Sequence, residues 1–341
     1  MSNKIYINII DSNIQEFSPK KIFKLKLLKC VGTGAYGFIF LTNINRYAVK
    51  ILTGKPKDIN NEISDGLTDY TEVDVISRII ERKEEFEINC ANYAYGFLLN
   101  NEKKTDNKQI KLIVNKDMCV EEVMSEIVRK DKIKKVVFYE NNYVIIMPMY
   151  VTFNDYVKTI GVNFFKNEKV IYKIIDNLVK SVKEMRELDL INMDLKIGNS
   201  MLDMRNKMKI IDFGMTKSID NLNNPIFYNL KYYIWPENGK TYNKTISFMI
   251  CIFILELLFD SKIYDLQKNK KEIYTFIDLL KTITYLKEEF KELVKITLTD
   301  GINFDDFCLQ FNIIKGNLNV IELPNIYHFV LYNKGINAYD F

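Results

Sequence analysis

Four short segments carry residue types that could do chemistry together. The first is Gly32-Thr33-Gly34-Ala35-Tyr36-Gly37, followed by Phe38 and Ile39. Glycines at that spacing let a backbone come close to phosphate oxygens and aim N–H groups at them. A plain hairpin needing positive φ would carry the same glycines. Thirteen residues after Gly37 comes Lys50, in Ala48-Val49-Lys50, on an otherwise apolar stretch. Such a lysine either faces solvent from an edge or serves as a point charge for phosphate. The third segment is Asn192-Met193-Asp194-Leu195-Lys196-Ile197-Gly198-Asn199. Here Asp194, Lys196 and Asn199 could present a carboxylate, an ammonium and an amide oxygen to one point, although a solvated turn would suit the same residues. The fourth, Asp212-Phe213-Gly214, follows the apolar Ile210-Ile211, and thirteen residues separate Asn199 from Asp212. That is enough for one short hairpin to bring two hard oxygens together, as Mg²⁺ prefers.

Composition narrows the alternatives. The 341 residues include one histidine, His328. A Ser-His-Asp hydrolase, or a zinc or haem site held by imidazoles, is therefore not expected. Hydrophobic residues make up 48% and charged residues 27%, enough for a sizeable core. The net charge of +4, from 48 basic and 44 acidic residues, advertises neither direct nucleic-acid binding nor an anionic membrane. Five cysteines, odd in number and without a CxxC pair, suggest reduced thiols in an intracellular compartment. The first residues show no signal-peptide pattern. The most apolar run, residues 246–259, contains Glu256 and is too short to span a bilayer, so no membrane span is expected and a buried core helix is.

The elements that must position these segments follow from period and punctuation. Residues 1–21 read as an N-terminal arm closed by Ser18-Pro19. From Phe23 a strand, a tight glycine loop, a strand, a turn at residues 43–45 and a strand make an antiparallel meander. Residues 58–83 have helical spacing in Val73, Ile76 and Ile80, and residues 84–132 read as an insertion with a polar surface run. Two apolar runs flanking Glu140-Asn141-Asn142 predict a hairpin. Beyond Tyr150 the pattern is helical, with a stripe of Ile171, Ile174, Ile175, Leu178, Val182 and Met185. The fold class is α+β: a small β-rich lobe over 22–147, a larger helical lobe over 148–312, and a C-terminal tail over 313–341.

Taken in order, the glycine-rich loop, AVK, DLKxxN and DFG resemble the eukaryotic-type protein kinase superfamily over roughly residues 25 to 310. The resemblance implies a bilobal kinase-like fold and an ATP- and Mg²⁺-dependent enzyme acting on a protein substrate. It implies that Gly32, Gly34, Gly37, Ile39 and Lys50 hold the nucleotide, with Lys50 on the α- and β-phosphates. Asp194 would orient the substrate hydroxyl, and Asn199 and Asp212 would bind magnesium. Lys196, two residues after Asp194, resembles the serine/threonine-directed form of the loop. Met147 would stand near the gatekeeper, with Met149 in the hinge that reads adenine. The helix partner of Lys50 would be Glu72, with Glu62 as the alternative.

The chain also departs from that family. Its His-Arg-Asp triplet is Asn192-Met193-Asp194 here, and the missing arginine normally meets a phosphate on the activation segment. Control by activation-segment phosphorylation is therefore not expected. No aspartate opens the apolar helix near Ile246, where the family anchors its catalytic loop; Thr245 or Ser247 could substitute. A pseudokinase acting as a binding module is the alternative, and a small-molecule phosphotransferase fits less well. The residue usage suits an AT-rich genome, and the insertions resemble divergent viral kinases with a poxvirus-like source. That would place the protein in a host cytoplasm or a virion. The oligomeric state is open.

Overall fold

The computed structural model describes residues 5–11, 22–34, 37–42, 47–52, 75, 78, 94–99, 109–111, 137–139, 143–224, 241–259, 270–318 and 321–333. These fall into two compact units, the first within residues 5–149 and the second within 150–333.

In the first unit, β1 (Ile5–Asp11), β2 (Ile22–Gly34), β3 (Gly37–Thr42), β4 (Tyr47–Leu52), β5 (Ala94–Leu99) and β8 (Tyr143–Pro148) close into a barrel. The strand order is β1-β2-β3-β4-β8-β5, and every pairing is antiparallel. Alternation explains β3 and β4. Phe38, Phe40, Val49 and Ile51 are buried on one face, while Ile39 and Lys50 stand opposite each other on the other. The meander of β2, β3 and β4 is as expected. Of the helix expected over 58–83, Val75 and Arg78 are described; both are helical, and Val75 is fully buried.

Three expectations need correction here. The N-terminal arm contains β1, which pairs with both β2 and β5. The supposed insertion contains β5, the strand that closes the barrel between β1 and β8. The hairpin around Glu140 does not form as expected, because β7 (Val137–Tyr139) pairs with β6 (Gln109–Lys111) in a separate two-stranded sheet. An apolar alternation fixes which face is buried but does not name the neighbouring strand.

The second unit is helical with small sheets. It contains β9 (Val151–Thr152), α1 (Phe153–Ile160), α2 (Glu168–Glu187), β10 (Leu190–Asn192), β11 (Ser200–Leu202), β12 (Met208–Ile210) and β13 (Thr216–Ser218). Beyond them come α3 (Tyr242–Phe259), α4 (Lys270–Lys281), α5 (Glu288–Thr299), α6 (Phe304–Lys315) and α7 (Tyr327–Asn333). Helix α2 begins where Asn167 caps the Lys169 N–H at 2.9 Å. It buries Ile171, Ile174, Ile175, Leu178 and Met185 as its stripe predicts, with Val182 half-buried. Helix α3 is apolar all round and lies at the centre, with 89% of its residues buried. By length and composition it could cross a membrane, but its burial assigns it to the core. Each fully buried phenylalanine along it, such as Phe248 or Phe253, contributes about 2–3 kcal/mol of apolar burial.

The described part of the C-terminal segment packs back on the second unit. Helix α6 runs to Lys315, and α7 packs on α1 and β9 through buried Tyr327, Val330 and Leu331. The Asn206 amide donates to the carbonyls of Leu323 and Pro324, and Tyr156 Oη donates to Pro324 O at 3.0 Å. His328 lies in α7, with its ring edge-on to Tyr327.

Candidate active site

The glycine-rich segment is a β2–β3 hairpin in which Gly34 faces Gly37 and Gly32 faces Ile39. The register continues from Ile39 to Lys50 and from Lys50 to Ile145. Gly32, Ile39, Lys50 and Ile145 thus form one row across four strands. Met147, opposite Ala48, lies two residues further along β8 on the same face. Lys50 is 7% exposed on an interior strand of the barrel, so the reading of a solvent-facing edge lysine does not hold. A buried ammonium needs an anion nearby to offset its desolvation. Met149 is buried at the end of this unit, while Glu72 and Glu62 lie outside the described residues.

In the second unit, β10 and β13 pair through Leu190–Ser218 and Asn192–Thr216. Met193 N–H extends the pairing by donating to Met215 O at 2.8 Å. The loop beyond Met193 turns through Asp194 and closes on a 3-10 turn, Ile197–Asn199. There the side chains of Asp194, Lys196 and Asn199 meet. Asp194 Oδ2 accepts from Lys196 Nζ at 2.7 Å and from Asn199 Nδ2 at 2.7 Å, and Asn199 Nδ2 also donates to Asp194 O at 3.0 Å. Asp194 Oδ1 is buried and has no hydrogen-bond partner among the described residues. Burial pushes the Asp194 carboxyl above its ordinary range; Lys196 pulls it back, Asp212 raises it further and the Asn199 bond lowers it.

Asp212 reaches this group through the β11–β12 hairpin, the one expected between Asn199 and Asp212. Ser200 pairs with Ile210, and Ile211 N–H donates to Asn199 O at 2.9 Å. The turn at its tip is built by Asp203, whose carboxylate accepts from the Arg205 and Lys207 N–H groups. Asp212 itself is held at φ 66°, a conformation that non-glycine residues keep only when their surroundings impose it. Phe213 beside it is 1% exposed, and its carbonyl accepts from Thr216 Oγ1 at 2.7 Å.

These donors suit a divalent cation. Asn199 spends its N–H groups on Asp194, which leaves Oδ1 as an acceptor, and Asp212 adds a carboxylate. Among the described residues no cluster of three His, Cys, Asp or Glu side chains occurs. Two protein oxygens fit Mg²⁺, which keeps water and phosphate oxygens in its shell.

The side chain that sequence reasoning undervalued is Asn192. Standing where the family carries histidine, it accepts from Asp194 N–H at 2.8 Å and donates to Asp212 O at 3.2 Å. The available signal was chemical: a carboxamide carries a donor and an acceptor two residues before Asp194. The proposed substitutes for an anchoring aspartate do not act as such. Thr245 Oγ1 donates to Thr241 O in its own turn, and the buried Ser247 Oγ has no hydrogen-bond partner among the described residues.

The family model of the protein kinase domain matches residues 97–312. The chain belongs to the protein kinase family. The match takes in Asp194, Asn199 and Asp212, while the glycine hairpin and Lys50 precede it. The α+β fold class agrees with that membership. One similar protein is the eukaryotic translation initiation factor 2-alpha kinase 1 of Plasmodium falciparum, 27% identical over 44% of this chain and 10% of its own length. Another is the probable serine/threonine-protein kinase fnkB of Dictyostelium discoideum, 42% identical over 16% of this chain and 11% of its own. The chain spans about a tenth of the length of these curated relatives.

Proposed function

We propose that this chain is an ATP- and Mg²⁺-dependent protein kinase that transfers the γ-phosphate to a serine or threonine hydroxyl. The observation that carries the reading is the asymmetry of Asp194. Its Oδ2 is fixed by Lys196 and Asn199, while its buried Oδ1 is left to accept the hydrogen of an incoming hydroxyl. In this reading Lys196 turns from Asp194 towards the transferring phosphoryl group and neutralises developing charge. Lys50 pairs with the α- and β-phosphates, Gly32, Gly34, Gly37 and Ile39 cover them, and Met147 and Met149 line the adenine end. Asn199 and Asp212 would hold Mg²⁺, which supplies charge neutralisation on the phosphate oxygens. Glu72 remains the proposed partner of Lys50. Serine/threonine preference rests on Lys196, and the fnkB relative carries that specificity in its name.

The test is transfer of the γ-phosphate from Mg·ATP to a generic protein substrate, with Asp194→Asn as control. A positioned base of this kind is worth about 100- to 10,000-fold. A loss of at least 100-fold with unchanged nucleotide affinity is expected. Equal rates would remove Asp194 from its role. Nucleotide binding without any transfer by the wild type would favour the pseudokinase reading.

An intracellular setting is supported by the buried free thiols of Cys251 and Cys308. The reading of a viral, poxvirus-like source rests on residue usage and on the likeness of the insertions to those of divergent viral kinases.

A further inference from the structure

We propose that Asn192 is a positioning residue that sets Asp194 and Asp212 together through a single carboxamide. The inference deepens the reading of Asp194 as the catalytic carboxylate and Asp212 as a metal ligand, and it rests on that reading.

The backbone of Asn192 is fixed before its side chain acts. It pairs with Thr216 across β10–β13, and the next residue bonds to Met215. From that fixed point Oδ1 accepts from Asp194 N–H at 2.8 Å, which sets where the catalytic loop leaves the strand. Nδ2 donates to Asp212 O at 3.2 Å, on the residue held at φ 66°. An imposed backbone conformation needs groups that impose it. This bond and the Ile211 N–H bond to Asn199 O are two of them. One amide thus ties the loop bearing the proton acceptor to the strand end bearing the metal ligand.

The surroundings give the amide more weight. A small cavity beside it is lined by Ser181, Val182, Met185, Leu195, Ile210 and Ile246. The lining is almost wholly apolar, so little there competes for the amide's hydrogen bonds. From the start of α3 this side receives the side chain of Ile246, while the hydroxyls of Thr245 and Ser247 do not bond to the loop. The loop is therefore held from the side of Asp212. Only a side chain with both an acceptor and a donor can do this. Aspartate keeps the acceptor and puts a repelling oxygen against Asp212 O; leucine keeps neither.

The experiment uses the full chain as wild type, Asn192→Asp and Asn192→Leu. The affinity for a fluorescent ADP analogue is measured with and without Mg²⁺, and kcat and KM for ATP are measured on a generic protein substrate. The wild type should bind the nucleotide more tightly with Mg²⁺. Both variants should lose at least tenfold of that Mg²⁺-dependent gain, keep Mg²⁺-free affinity within twofold, and lose at least tenfold in kcat. Should the leucine variant not fold, the aspartate variant, closest in shape, carries the comparison. An unchanged Mg²⁺-dependent gain in a folded variant overturns the proposal. So does an equal loss of Mg²⁺-free affinity, which would mark general disruption. A wild type with no Mg²⁺-dependent gain fails earlier: it removes the metal-site reading itself, and the proposal with it.

Discussion

Met193 stands beside Asn192 and faces the opposite demand. It is 2% exposed, and its thioether side chain is packed where the family ordinarily carries an arginine. A buried guanidinium there would need a phosphate or another anion; a buried methionine needs only apolar neighbours. The device that reads a phosphorylated activation segment is therefore missing at this residue. Tyr228→Phe, Tyr232→Phe and Tyr233→Phe combined with Ser218→Ala should leave the transfer rate within about twofold, because electrostatic ordering by phosphate has no guanidinium to act on. Thr216 is left intact because its hydroxyl holds Phe213 O. The check is the initial rate of the quadruple variant and of phosphatase-treated wild type. A tenfold loss in either would restore phosphate control. At this scale the sequence was a good guide to the convergence of Asp194, Lys196 and Asn199, since a loop this short cannot spread three polar side chains far apart. It was a poor guide to Asn192, because comparison with the family framed that residue by what it lacks instead of by the two bonds an amide can make.

Elements were legible in proportion to how long their period persists. The stripe of α2 repeats over about four turns and is recovered almost residue for residue, as is the apolar run within α3, a helix that starts at Tyr242. Strands β1 and β5 were not. The alternation in Ile5–Asp11 was hidden inside a presumed arm, and Gly96 interrupts β5. Pairing partners such as β6 and β7 are far apart in sequence, beyond any local signal. The C-terminal segment belongs to the same class, since a seven-residue helix gains its stability from the surface it meets. Burial of Leu323, Tyr327, Val330 and Leu331 fixes it on α1 and β9. Leu331→Ala should cost about 2–5 kcal/mol in urea unfolding, the range for emptying a packed leucine site. Asn206→Gly isolates the polar part of the same attachment. Glycine accepts the φ of 63° at that position but drops both bonds to Leu323 O and Pro324 O. The loss expected there is about 1–3 kcal/mol. A Leu331→Ala variant as stable as wild type would show that the segment is not fixed to this surface.

Stability of the whole second unit should fail at alkaline pH, and the core explains why. Cys251 lies on the central helix at 1% exposure, and burial pushes its thiol from the ordinary 9.0 up to about 12, with a small opposing effect from Thr297. Burial likewise raises Cys308 on α6 to about 11, with Lys183 and Arg186 opposing and Asp305 assisting. Tyr156, on α1, is raised by burial from 10.0 to about 12. In each case the folded protein holds its proton where the unfolded chain has released it. The stability these groups contribute is fully present below pH 9 and is lost as pH rises from 9 towards 11 and 12, by up to one proton per thiol. Urea unfolding at pH 8, 9, 10 and 11 should therefore show stability falling above pH 9. Cys251→Ala with Cys308→Ala should start lower at pH 8, because two buried sites are emptied, yet fall less steeply. Two curves of equal slope would show that the thiols ionise as freely in the core as in water. Alkylation provides an independent check, since only the thiolate reacts. At pH 8 both cysteines should resist iodoacetamide in the folded chain and react on addition of denaturant.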